Sequence, residues 1–142
     1  MNVQAIYDGS DGEATRALYT RLAGQLSGVT VYDHVPQNTA QPYVVIGQIT
    51  ATPWDSKTND GQEFTATIHV WEKAAGKKSA NLKMQSIYTA LHHQETNLTL
   101  SGFTVVLIRC EFSDIIEEPG EVTDQDHYYH GVQRYRALIA NN

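Results

Sequence analysis

The stretch Gln62-Glu63-Phe64-Thr65-Ala66-Thr67-Ile68-His69-Val70-Trp71-Glu72 decides the fold. From Phe64 its apolar residues recur at every second position, so Phe64, Ala66, Ile68 and Val70 share one face and Thr65, Thr67, His69 and Trp71 the other. A period of two, with β-branched and aromatic content, is the pattern of a strand with one face in a core. The second face carries a tryptophan among threonines and a histidine. An aromatic of that size packs under something, either a helix of the same chain or a second subunit. The strand sets the architecture and defines no chemistry.

Upstream, Pro42 introduces Tyr43-Val44-Val45-Ile46-Gly47-Gln48-Ile49-Thr50, apolar on both faces at first and predicted as an interior strand. Residues 51–61 are expected to form a polar connection ending in the turn chemistry of Asn59-Asp60-Gly61. This connection is long for a hairpin, and it contains Trp54, which either folds back over the sheet edge or anchors a neighbouring subunit. Nearer the start, Ser10-Asp11-Gly12-Glu13 has capping-box spacing. Ala14, Leu18, Leu22 and Leu26 follow at helical period, Ala17 widens the stripe, and Gly28 ends the helix. Val29 to Tyr32 reads as a short extended piece, and Asp33 to Gln41 as an irregular connection containing Pro36.

Downstream, Ala74-Ala75-Gly76 breaks the alternation, and a second helix is predicted from about Lys77 to His93, with Ala80, Met84, Ile87, Tyr88 and Leu91 inward. Lys77 and Lys78 at its start oppose the helix dipole and leave a positive spot for an acidic partner. Phe103 to Phe112 reads as a strand with Phe103, Val105 and Leu107 on one face and Val106, Ile108, Cys110 and Phe112 on the other. The last strand, about Tyr128 to Ile139, sets Val132, Arg134, Arg136 and Leu138 against Gln133, Tyr135, Ala137 and Ile139. The order α-β-β-β-α-β-β, with strands joined by turns, predicts an α+β fold: a largely antiparallel β-sheet packed against two α-helices. At 142 residues the chain has room for one domain, residues 1–142.

A hydrophobic content of 41% and a charged content of 18% describe an ordinary soluble globular protein. No run approaches the ~20 apolar residues of a membrane helix, and the first residues lack the basic start of a signal peptide. The single cysteine, Cys110, fits a reducing compartment and is expected to be a buried, inert thiol. A net charge of −6 argues against a surface made to grip nucleic acid. The acids Glu111, Asp114, Glu117, Glu118, Glu121, Asp124 and Asp126 occur without an intervening lysine or arginine, which predicts a solvated loop held extended by repulsion. Lysines gather elsewhere, at Lys73, Lys77, Lys78 and Lys83.

The one grouping with metal-ligand character is Asp124, Asp126, His127 and His130, but its spacing fits no strict motif. His92-His93 reads as a helix C-terminus, and His34 and His69, which stand alone, as hydrogen-bonded structural histidines. No phosphate loop or nucleophile elbow is present in the sequence. Arg134 and Arg136 beside Tyr135 are a weak nucleic-acid signal and are better used to pair with acids of a neighbour.

Five phrases then occur in order: Val31-Tyr32-Asp33-His34-Val35-Pro36, Pro42-Tyr43-Val44-Val45-Ile46-Gly47, Thr52-Pro53-Trp54-Asp55, His69-Val70-Trp71, and Tyr129-His130-Gly131-Val132-Gln133-Arg134-Tyr135-Arg136-Ala137. Together, with a helix between the third and fourth strands, the chain resembles the tail completion (tail terminator) family of long-tailed bacteriophages and phage-derived gene transfer agents. The resemblance runs from the first helix to about Leu138, and the stretch Glu117 to Asp126 departs from it by being longer and more acidic. It implies a non-enzymatic subunit, without catalytic residues or a cofactor, made in the bacterial cytoplasm and placed at the tail–head junction of the particle. There it would form a hexameric ring that stops tube growth, contact the tail tube protein and the head connector or stopper, and meet DNA only in passage, with no membrane involved. Under that reading the subunit-interface candidates are Trp54, Asp55, Lys57, Trp71, Lys77, Lys78, Glu117, Glu118, Arg134 and Arg136. Two other readings remain: a head-side connector or stopper, and a metal-dependent hydrolase using Asp124, Asp126, His127 and His130.

Overall fold

A computed structural model describes residues 10–54, 60–118 and 127–141. In chain order it has helix α1 (Ser10–Gln25) and strands β1 (Thr30–Tyr32), β2 (Tyr43–Pro53) and β3 (Gly61–Ala74). Helix α2 (Lys78–Leu91), a 3-10 turn (Glu95–Asn97), β4 (Phe103–Glu118) and β5 (His127–Asn141) follow. The strands form one sheet in the order β1-β2-β3-β5-β4, antiparallel throughout except for β1 beside β2. This is the predicted α+β order, with the last strand inserted between β3 and β4.

Both helices lie on the face of β3 that carries Phe64, Ala66, Ile68 and Val70, all buried in one core with Leu18, Leu22, Ile87 and Leu91. Each such side chain contributes about 1.5–3 kcal/mol on removal from water. Helix α1 buries the predicted stripe, and Gly28, at φ +76°, ends the turn after it. The capping box is used differently: the Glu13 carboxylate accepts from Arg16 and from the backbone N–H of Ser101, while the Ser10 side chain lies outside the described residues. Helix α2 buries Ala80, Met84, Ile87, Ala90 and Leu91. Tyr88, expected inside, is exposed and stacks on His92 at 4.4 Å, because Ala90 takes the inward position. A buried polar link ties α2 to β5: Tyr135 Oη donates to Gln133 Oε1 (2.7 Å), and Gln133 Nε2 donates to the Met84 carbonyl (3.0 Å). Burial pushes the Tyr135 hydroxyl far above its ordinary range, so it stays a donor.

Four expectations need correction. The connection between β2 and β3 is shorter than residues 51–61, since β2 runs on through Pro53 and the Trp54 N–H donates to the Gly61 carbonyl at 2.8 Å. Along β4, irregularities between Val105 and Leu107 and between Cys110 and Phe112 break the alternation. Val106 and Phe112 are therefore exposed while Ile108 is buried and Cys110 packs against the core, although a simple period of two puts all four together. Cys110 is only half-buried. Finally, residues 111–118 are strand and not loop. Across the sheet Glu111 pairs with Arg134 (3.1 Å), and Glu117 and Glu118 meet the imidazoles of His127 (2.7 Å) and His130 (3.1 Å), partners that the run of acids by itself does not reveal.

Candidate functional site

Among the described residues no helix covers the second face of the sheet. Trp71, expected to lie under a helix or a second subunit, has no helix of the described residues over it and is stacked on His130 of the neighbouring strand, with ring centres 3.9 Å apart and planes 8° from parallel. The β3–β5 register places these two residues directly opposite. His130 Nδ1 meets Glu118 Oε1 at 3.1 Å, and its Nε2 lies 2.7 Å from His69 Nδ1. His69 is thus hydrogen-bonded, as anticipated, and its partner is a second histidine. With Glu118 accepting the Nδ1 proton, the contact between the two imidazoles holds with one shared proton and is broken by a second.

His69 is held below the ordinary imidazole range, first by burial and then by His130 beside it. His92 is also held down, by burial and then by His93 and Arg109, with Glu95 acting the other way. The folded chain therefore binds these protons less readily than the unfolded chain. Their stabilising contribution is fully present above the unfolded value of about 6.5 and is lost as pH falls through that value toward the folded one. The melting temperature is expected to fall between about pH 7 and 5, and to fall less steeply in His69→Gln.

The rest of this face combines charge pairs with exposed apolar side chains. Arg134 pairs with Glu111 and lies 5.4 Å from the Phe112 ring centre, and Arg136 pairs with Glu63 at 2.7 Å. The acids expected from a neighbour for these arginines are thus present in the same sheet. Beside them Phe112 and Ile116 are each 46% exposed. These two were missed because the irregularities in β4 and its continuation past Phe112 leave no mark in the composition.

The ten interface candidates divide by position. Trp54 lies at the β2–β3 turn and is 41% exposed; Asp55 and Lys57 are outside the described residues. Trp71, Lys77, Lys78, Glu117 and Glu118 gather at the other end of β3, because Lys73 pairs with Tyr128 and Tyr128 with Glu118. The two ends are separated by roughly 33 Å, from Gly61 to Trp71 at about 3.3 Å per residue. Arg134 and Arg136 lie between them. Lysines and acids that looked like separate patches thus share one end of the subunit, where Lys73 also sits over the Tyr128 ring at 5.6 Å.

Of the metal grouping, the two members among the described residues, His127 and His130, do not converge. His127 is on the helix side of β5 with Tyr129, while His130 is on the bare side with Trp71, and Asp124 and Asp126 lie outside the described residues. Among the described residues no three His, Cys, Asp or Glu side chains are placed to hold a metal ion.

A sheet backed by helices on one face, with aromatic, aliphatic and paired charged side chains exposed on the other, is the build of a subunit that associates with other chains. Residues 15–140 match the family of the tail completion protein gp17, and the chain belongs to that family. The tail completion protein gp17 of Bacillus phage SPP1 is 30% identical over 101 residues, covering 71% of this chain and 69% of that protein. A chain in the virion of a native gene transfer agent particle has the same fold, with TM-score 0.68 over 90% of this chain and 96% of that one, at 24% identity. The solved structure of SPP1 gp17 aligns with TM-score 0.45 over 94% of this chain and 88% of that one, at 21% identity.

Proposed function

We propose that this tail completion protein acts as a tail terminator: copies associate into a hexameric ring on the head-proximal end of the tail tube, stop its growth and join it to the head connector. The observation that carries this reading is the bare sheet face, which keeps Phe112 and Ile116 exposed in a chain of this family. Large apolar groups left in water favour association with other chains. A formal net charge of −6 suits a ring through which DNA passes without adhering. The contacts are made from the two ends of β3, by Trp54 with Asp55 and Lys57 at one and by Trp71, Lys77, Lys78, Glu117 and Glu118 at the other, with Arg134 and Arg136 between. The particle is the site of action, and the ring is a structural part without catalysis.

Native mass spectrometry and negative-stain imaging of the purified protein, alone and with tail tubes, test this directly. Sixfold rings or capped tube ends are the expected result, and a chain that stays monomeric and ignores tube ends removes the reading. Trp54→Ala is expected to keep the melting temperature within about 2 °C while weakening assembly by at least about tenfold, because an exposed anchor stabilises association more than the core. A large fall in melting temperature with assembly intact would show Trp54 to be a core residue.

A further inference from the structure

Among the described residues, two long stretches of strand edge, one on β4 and one on β2, are open, and they differ in charge. β4 is an edge strand, and its first half is closed by the segment that follows α2. The His93 N–H donates to the Ile108 carbonyl (3.2 Å), the Ile108 N–H to Glu95 Oε1 (3.3 Å), and the Cys110 N–H to His92 Nδ1 (3.0 Å). From Glu111 to Glu118 no other element covers this edge among the described residues. There the Ile115 N–H turns to the neighbouring Asp114 side chain at 2.9 Å. On the far side of the sheet, β1 pairs with Tyr43, Val44 and Val45 only, so β2 is an edge from Ile46 to Pro53 among the described residues.

Rows of open N–H and C=O groups accept an added strand. Two β4 edges do not suit each other, because Glu111, Asp114, Glu117 and Glu118 would face their own copies. The β2 edge, Ile-Gly-Gln-Ile-Thr-Ala-Thr-Pro, carries no charge. Direction fits as well. β2 and β5 run one way and β3 and β4 the other, so a copy turned about an axis inclined to the strands brings its β2 antiparallel to β4. The inclination supplies the stagger between Glu111–Glu118, level with the Trp71 end of β3, and Ile46–Pro53, level with its Gly61 end. Antiparallel pairing is the more stable ladder. Joining two different edges is a head-to-tail contact, the kind that closes into rings.

The geometry points to a continuous sheet across each subunit boundary, in which Glu111–Glu118 of one copy adds to the Ile46–Pro53 edge of the next. This inference rests on the ring reading and names the contact that builds it.

Hydrogen exchange on the assembled and the dissociated full-length protein tests it. Amides of residues 111–118 and 46–53 are expected to slow by about tenfold or more on assembly, as newly formed ladder hydrogen bonds require. Rings in which either segment exchanges as fast as in the free subunit overturn the inference and leave the ring reading standing. A chain that forms no rings, with or without tail tubes, overturns both. A second arm uses Ser113→Pro. By strand alternation the Ser113 N–H points outward with that of Ile115, so proline there spares the pairing with β5. The variant is expected to melt close to the parent and to self-associate about tenfold more weakly or worse. Association at parental strength overturns the inference, and if Ser113→Pro does not fold, the exchange result decides.

Discussion

Lys83→Met is expected to destabilise the folded chain by about 3 kcal/mol, measured by urea denaturation. Glu72 ends the row of β3 residues that faces the helices, and it is 4% exposed. Its Oε2 accepts from Lys83 Nζ at 2.5 Å and from Ser79 Oγ at 2.8 Å, and its Oε1 from the Lys73 N–H at 3.2 Å. Strand and helix are thereby joined through one carboxylate. Methionine keeps most of the lysine stem's packing but leaves the carboxylate buried without a counter-charge, and removing one partner of such a pair is the costly change. Glu72→Met is expected to cost less, because Lys83 is partly exposed and its ammonium reaches water from where it stands. The double variant is expected to be about as stable as Glu72→Met alone, giving a coupling energy of about 3 kcal/mol, the whole cost of Lys83→Met. A single Lys83→Met cost below about 0.5 kcal/mol would mean that the serine and the backbone N–H satisfy the carboxylate unaided.

Gly61→Ala is the second large effect, expected at about 3 kcal/mol, or a fall in melting temperature of about 10 °C for a chain of this size. A Cβ at Gly61 would lie 2.6 Å from the Trp54 carbonyl oxygen and 2.7 Å from that of Ile139, with the Trp54 ring at 2.9 Å. Two of these three atoms are backbone, so no rotamer change relieves the clash. Gly61 opens β3 at the point where it is flanked by both β2 and β5, and relief requires the three strands to move apart. The contrast with Trp54→Ala is informative: one change strains the framework that holds the tryptophan, the other removes the tryptophan and leaves the framework alone. Thermal melts of the two variants side by side check it, and equal melting points would refute the separation of roles.

What the sequence displayed was whatever repeats within a few residues. The inward row of β3 from Phe64 to Val70 and the α1 stripe from Ala14 to Leu26 were legible because a period of two or 3.6 needs only local neighbours. The β4 strand was legible only as far as its first irregularity, after which Val106 and Phe112 appear on the wrong side. The acidic stretch 111–118 misled for a related reason. The side chains its glutamates contact, Arg134, His127 and His130, lie across the sheet and are brought near by pairing with β5. The same holds at the candidate surface. Trp54 was legible as an exposed aromatic, whereas the stack of Trp71 on His130 depends on a register between segments some sixty residues apart in the chain, as the His69–His130 contact also does.

The place of β5 in the sheet has a consequence during synthesis. It is the last of the strands to leave the ribosome, yet it sits between β3 and β4, so β4 has no neighbouring strand until β5 arrives. A chain interrupted before His127 holds three paired strands and a fourth with nowhere to dock. Such a fragment lacks the strand that carries β4, and with it the bare face on which Phe112 and Ile116 stand.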